Sequence, residues 1–212
     1  MQTSMTKEAK KSCKTETLSV EEIESILDAA GGGTLGVRNR AMIALAWKTG
    51  LRVSEICSLK PADIDFKSKR IRVKEGKAVR QKDGTFKKTD DYSVFTETLV
   101  PYLQAWLAER NYHPEIEKNA PLFCTTSKRA GKALHRNYFY NRLQKLAEKA
   151  QIKKKIHPHI FRRTCATQLL NRGLSLTDVQ AQLRHTSNKS TLEYLKIAQK
   201  EQLADKMQQA GF

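Results

Sequence analysis

The side chains with chemical reach fall at two places. One is Arg52, within Thr49-Gly-Leu-Arg-Val-Ser-Glu55; the other is the last third of the chain, with His159, Arg162, His185 and Tyr194. Two guanidiniums can grip the two non-bridging oxygens of one phosphodiester, because each presents its donors in a fork matched to phosphate. Two imidazoles can hold or move a proton near neutral pH. A tyrosine hydroxyl, with an ordinary pKa of about 10, is a poor nucleophile until cations stabilise its phenolate. It can then attack phosphorus and keep the product as a covalent ester. Such a set can break and remake a phosphodiester with no metal, no cofactor and no attacking water.

The charge balance agrees with a polyanionic partner. Lys and Arg total 39 against 22 Asp and Glu, a net charge of +17 over 212 residues. An imbalance of that size is the electrostatic footprint expected of a nucleic-acid binder. Hydrophobic residues make up 39% of the chain, enough for a real core and too many for wholesale disorder. No apolar run approaches the roughly 20 residues of a membrane span. The N-terminus has lysines but lacks the apolar stretch of a secretory signal. Cys13, Cys57, Cys124 and Cys165 are scattered without a Cys-x-x-Cys pair, and His157-Pro-His159 has no further ligands nearby. Neither a disulfide framework nor a zinc site is expected, so the chain reads as cytoplasmic and metal-free.

The elements that must position these groups follow from periodicity. Residues 1–18, with Lys7, Lys10, Lys11 and Lys14, read as a flexible basic arm, and residues 19–212 as one domain. Ser19-Val-Glu-Glu22 is a capping box, with Ile23, Ile26 and Leu27 on one helical face and Gly31-Gly-Gly33 as the stop. A second helix is expected from about Val37 to Thr49, with Gly50 as its cap, and a short third from about Val53 to Leu59, ahead of Pro61. Ile64–Phe66, Arg70–Val73 and about Tyr92–Phe95 alternate as strands, with a long charged hairpin around Asp83-Gly84 between the last two. Helical spacing resumes at Leu99, Leu103, Trp106 and Leu107, again at Phe139, Leu143 and Leu146, and again at Phe161, Leu169 and Leu170 up to Gly173. Ser175 opens a helix with Val179 and Leu183 inward. Ser190-Thr-Leu-Glu193 is a second capping box, starting the helix that bears Tyr194. The fold class is therefore mainly α with a small three-stranded antiparallel sheet.

Each piece also has a plainer explanation. Arg52 and Glu55, three apart at a helix start, fit a phosphate grip steadied by a carboxylate, and equally an ordinary surface ion pair. His159 and Arg162 share one helical face, which alone describes many solvated helices. Tyr194 beside Leu192 and Leu195 can be a packing residue, as Tyr138 and Tyr140 are best explained.

What separates the readings is order. Gly50-Leu-Arg-Val-Ser-Glu55, His157-Pro-His-Ile-Phe-Arg162, Leu183-Arg-His185 and Thr191-Leu-Glu-Tyr194 resemble the successive signature boxes of the tyrosine recombinase (phage integrase) family, from about Ser19 to Ala198. The resemblance implies that family's catalytic-domain fold and a partner in double-stranded DNA. It implies that Arg52 and Arg162 bind the scissile phosphate, His159 assists proton transfer and His185 hydrogen-bonds a non-bridging oxygen. Tyr194 becomes the 3′-phosphotyrosyl carrier. A lysine on the hairpin between the second and third strands protonates the leaving 5′-oxygen. Lys77 matches that place best, with Lys74, Lys82, Lys87 and Lys88 competing. Exchange between sites needs partners, so weak self-association or a homo-tetramer on DNA is expected, monomeric when free, with Gln199–Phe212 as a candidate exchanged segment. Three departures stand out. Arg163 occupies a position that often holds histidine, Arg184 one that usually holds glycine, and residues 1–18 are too few for the family's core-binding domain. The first two read as tolerated variation or extra phosphate contacts. The third makes the chain resemble short stand-alone recombinases, such as those that invert fimbrial promoters, or an isolated catalytic domain. The alternatives are a type IB topoisomerase, a DNA-binding regulator on the same fold that does not cut, and a basic scaffold protein.

Overall fold

A computed structural model of the protein describes residues 16–74, 78–80, 86–88, 90–127, 130–184 and 188–211. Helix α1 (Val20–Ala29) starts on the expected capping box: Glu22 N–H donates to Ser19 Oγ at 3.2 Å, and Ser19 N–H to Glu22 Oε2 at 2.8 Å. Its apolar face, Ile23, Ile26 and Leu27, is buried. Helix α2 (Gly33–Thr49) begins inside the glycine run, ahead of the expected start near Val37. Gly36 explains this: a Cβ there would lie 2.3 Å from Gly31 O, so only glycine lets the first turn of α2 close against the α1–α2 turn. Ala41 to Trp47 are all buried, as befits a helix surrounded by the rest of the fold.

After Gly50 comes α3 (Val53–Ser58), which stops before Pro61. The strands β1 (Ile64–Asp65), β2 (Arg70–Val73) and, after the hairpin, β5 (Asp91–Val94) form an antiparallel sheet in the order β1-β2-β5. The hairpin is a separate two-stranded ribbon, β3 (Ala78–Arg80) with β4 (Phe86–Lys88), in which Ala78 pairs with Lys88. Its tip at Asp83-Gly84 lies outside the described residues. Helices α4 (Val100–Asn111), α5 (Arg136–Lys149), α6 (Pro158–Asn171), α7 (Leu176–Leu183) and α8 (Asn188–Gln209) complete the chain. The tyrosine-bearing helix α8 is already helical at Asn188, so Ser190 lies within its first turn and is not its cap. The architecture is the expected one, mainly helical with a small three-stranded antiparallel sheet.

Two hydrophobic clusters hold these elements. The larger runs from Leu18 through α1 to α5, the sheet and the start of α6, and includes Trp106 stacked on Phe123 with centroids 6.3 Å apart. The smaller joins α6, α7 and α8 through Ala166, Leu170, Val179, Leu183 and Ala198. The last residues of the expected arm are docked on this framework. Arg163 Nη1 donates to Glu16 O at 2.7 Å, Lys154 Nζ to Thr17 O at 3.0 Å, Leu18 N–H to Thr164 Oγ1 at 2.9 Å and Thr17 Oγ1 to Glu201 Oε1 at 2.9 Å. No described helix is long and apolar enough to cross a membrane.

Candidate active site

Arg52 is the extended residue (φ −69°, ψ 148°) that leads into α3. Glu55 fixes it twice, accepting the Arg52 N–H on Oε2 at 2.6 Å and Nη1 on Oε1 at 2.9 Å. The Arg52 side chain stays 42% exposed, so the pair leaves it open to a ligand. The i,i+3 spacing in the sequence is therefore a real pairing, with the carboxylate orienting the guanidinium.

Arg162 is built differently. It lies one turn into α6, after Pro158 at the helix start, and is almost wholly buried. Its Nη1 donates to Gly50 O at 2.5 Å and its Nη2 to Leu183 O at 2.5 Å. Those carbonyls end α2 and α7, so this guanidinium holds three helix ends together. Burial and then the Arg52 charge push its pKa down to about 10, while Glu55 and Tyr194 pull the other way. It remains a cation at neutral pH.

His159, one turn before Arg162, reaches the surface, yet the protein packed around it still disfavours its charged form, and Arg162, Arg52 and Arg163 add to that. Its pKa falls below the ordinary histidine value, which makes it a neutral imidazole, able to accept a proton, at pH 7. His157 is shifted the same way, by burial first and then by Arg163, His159 and Lys155. Tyr194 stands on α8, partly buried against the smaller cluster and close enough to Arg162 for the two to interact electrostatically. Arg52, His159, Arg162 and Tyr194 thus belong to one electrostatic neighbourhood.

The remaining sequence candidates divide. His185, Lys77 and Lys82 lie outside the described residues. Lys87 and Lys88 are on β4 of the ribbon, by their backbones. Lys74 follows β2 with its Nζ 3.0 Å from Asp63 Oδ1, an acid also paired with Arg72, so it is engaged in holding the sheet to its preceding turn. Among the described residues no three His, Cys, Asp or Glu side chains gather as metal ligands.

Two residues of the site have partners that no local pattern announced. Gln182, near the end of α7, accepts from Val94 N–H at 3.1 Å and donates from Nε2 to Val94 O at 2.8 Å, Ser93 Oγ at 3.0 Å and Thr49 O at 3.2 Å. It thereby stitches α7 to the sheet edge and to the end of α2. Arg184 ends α7 in the left-handed region (φ 53°, ψ 47°), where glycine is the unstrained choice. Its side chain is only 5% exposed and pairs with Glu55 Oε2 at 2.7 Å. The pairing with Glu55 is a partner that neither expectation at this position, tolerated variation or an extra phosphate contact, had named. Arg163 likewise faces the Glu16 carbonyl.

Comparison with known proteins bears on the family and the fold. Residues 16–201 match the model of the phage integrase family. The chain is 33% identical over 181 residues to the type 1 fimbriae regulatory protein FimB of Escherichia coli (strain K12), covering 85% of this chain and 84% of that protein. It is 33% identical over 179 residues to tyrosine recombinase XerC of Bacillus pumilus, covering 84% of this chain but 56% of the relative. Among solved structures, XerA recombinase superposes with a TM-score of 0.69 at 28% identity, over 84% of this chain and 59% of that one. XerH site-specific recombinase, in a post-cleavage complex with a palindromic difH substrate, shares the fold with a TM-score of 0.70 at 24% identity, over 91% of this chain and 52% of that one. The chain thus spans little more than half the length of the Xer proteins it matches. A match running from residue 16 to residue 201 is far too long to be a chance local motif. The protein belongs to the phage integrase family of tyrosine recombinases.

Proposed function

We propose that the protein is a site-specific recombinase that cleaves and rejoins double-stranded DNA through a 3′-phosphotyrosine on Tyr194. The observation that carries this reading is the convergence of Arg52, His159 with Arg162, and Tyr194 from three separate stretches of chain onto one charged neighbourhood. Arg52 and Arg162 neutralise the non-bridging oxygens of the scissile phosphate. The Tyr194 oxygen forms a bond to phosphorus, its proton passing to the neutral His159, as the bond to the 5′-oxygen breaks. Lys77 gives the leaving oxygen its proton, and His185 hydrogen-bonds a non-bridging oxygen. No water enters, so the phosphotyrosine conserves the ester for the free 5′-hydroxyl that later reclaims it.

Exchange between two duplexes requires several protomers on DNA. We place a homo-tetramer there, acting in the cytoplasm on the nucleoid, with the end of α8 (where Leu203 and Met207 are exposed) as the segment passed between protomers. The outcome is integration, excision or inversion, and similarity over most of its length to a fimbriae regulatory protein supports the short stand-alone type of recombinase.

The test uses nicked fragments of the genome that encodes the protein. A nick beside the scissile phosphate lets the short leaving strand diffuse away and traps the covalent adduct, whose sequencing also reports the site. Wild type should form the adduct. Tyr194→Phe should form none while binding the same fragments, because affinity comes from many phosphate contacts and not from the hydroxyl. An undiminished adduct in the Phe variant would sink the assignment.

A further inference from the structure

We propose that Arg184 is a positioning residue for the phosphate grip: it holds Glu55 so that Arg52 keeps a guanidinium edge for DNA. The proposal rests on the reading of Arg52 as a phosphate ligand. It begins from an oddity of this chain. Arg184 adopts a left-handed conformation that costs a side-chain-bearing residue and costs glycine nothing. The same residue also places a guanidinium in protein, where a cation is expensive unless paired. Two unfavourable choices at one position point to a compensating role.

The partners show what that role is. Arg184 Nη2 lies 2.7 Å from Glu55 Oε2, and Arg184 Nη1 donates to Gln182 O at 3.2 Å. Asp91, at the start of β5, acts on the same guanidinium from the sheet side, and Arg52 acts on it from the site. Glu55 is thus shared: one oxygen receives Arg52 Nη1, and the other receives the Arg52 N–H and Arg184. A carboxylate and a guanidinium prefer a two-point fork. With Arg184 holding the second oxygen, Glu55 binds the Arg52 side chain through one nitrogen and orients it. Without Arg184, only the Arg52 N–H holds that second oxygen, and the carboxylate can turn to close the fork on the Arg52 side chain and compete with phosphate for the same edge. Arg184 also cancels the Glu55 charge, keeping the neighbourhood of Arg162 and His159 cationic.

The role is exercised through Glu55 and not by touching DNA, and the two differ in measurable ways. The experiment compares wild type, Arg184→Gly, Arg184→Lys, Glu55→Gln and the Glu55→Gln/Arg184→Gly double variant. Each is checked for a cooperative melt, then assayed for adduct formation on nicked fragments of the encoding genome at saturating DNA. Arg184→Gly should lose about tenfold in cleavage rate, within the range for residues sharing one charge network, and Lys should restore most of it. In the Glu55→Gln background the same glycine substitution should change the rate by less than about twofold, because the competing carboxylate is gone. The dependence of DNA affinity on salt should be unchanged by Arg184→Gly, whereas loss of a direct phosphate contact would lower the slope by about 0.9. Equal losses in both backgrounds, a lowered salt slope, or a wild-type rate in Arg184→Gly would each overturn the role. A wild-type protein that forms no adduct would overturn the recombinase reading beneath it, and this role with it.

Discussion

Arg52 stands at the edge of a core that runs from Leu18 to Phe161 and contains both tryptophans, whereas Tyr194 stands on a helix held by Ala166, Leu170, Val179, Leu183 and Ala198. The first platform buries large side chains such as Trp106, Phe123, Phe139 and Phe161 almost completely. The second is made of small and medium aliphatic residues, and its long helix ends with Leu203 and Met207 exposed. Hydrophobic stabilisation scales with apolar area removed from water, so the nucleophile's mounting is intrinsically the weaker of the two. On the proposed mechanism the division suits the chemistry: the phosphate is to be gripped rigidly, while the tyrosine is to arrive, leave and arrive again. The two platforms meet at Gly50, where a Cβ would lie 2.4 Å from a Leu183 methyl carbon, and at Arg162, which bonds to the carbonyls of both residues.

The strongest way to break that division is through Arg162. Arg162→Ala removes a positioned charge at the phosphate, and cleavage should fall more than ~100-fold. It also leaves the Gly50 and Leu183 carbonyls without their donor, at a cost of roughly 1–3 kcal/mol each. Adduct assays and urea melts should therefore both respond, and Arg162→Lys should rescue neither, since a point charge cannot span two carbonyls and a phosphate. Near-wild-type cleavage in Arg162→Lys would place this arginine outside the chemistry.

A milder comparison sets one core against the other. Phe161→Ala should cost about 3–5 kcal/mol and lower the melting of the whole domain, because α6 is central to the larger cluster. Leu170→Ala should cost about 2–3 kcal/mol, at the low end for such a site, and the loss should concentrate in α8. Hydrogen exchange resolves the two: amides of α8 should exchange faster in Leu170→Ala while those of α2 hardly change. Equal acceleration in α2 and α8 would show that the clusters open as one unit.

This difference between the platforms was partly written in the sequence. Ile23, Ile26 and Leu27 sit at helical spacing, Pro158 marks the start of α6, and Gly50 caps α2 with φ +65°; local rules suffice for all three. Arg52 with Glu55, and His159 with Arg162, are legible because one helical turn brings each pair together. Arg184 and Glu55 are 129 residues apart, and Gln182 and Val94 are 88 apart, so no local pattern announces them. Arg38 is the same lesson in the core: a cation without any local signal for burial is buried, its guanidinium donating to Cys124 O and to the Tyr138 hydroxyl. Tyr194 differs locally from no other tyrosine, and only its order after the boxes singles it out. His185 and Lys77, assigned by that same order, lie outside the described residues.

The smallest effect expected concerns protons at the start of α6, on the larger platform's side of the joint. His157 and His159 both have folded pKa values below the unfolded value of about 6.5. Between the folded value and 6.5 the unfolded chain therefore binds more protons than the folded one, and stability rises with pH. The contribution is complete above pH 6.5 and is lost as pH falls through the folded values. Because His159 reaches solvent, the loss from it should be less than about 1 kcal/mol. DNA reverses the sign for His159: a phosphate beside the imidazole favours its charged form, so binding near pH 6.5 should take up a fraction of a proton. Calorimetric titration with encoding-genome fragments, in two buffers of different ionisation heat, measures that uptake, and His159→Asn should reduce it. The stability loss should appear in global melting, since Ile160 and Phe161 belong to the larger cluster. A pH-dependent loosening confined to α8 would instead tie these histidines to the nucleophile's platform, and the division drawn at Arg162 would have to move.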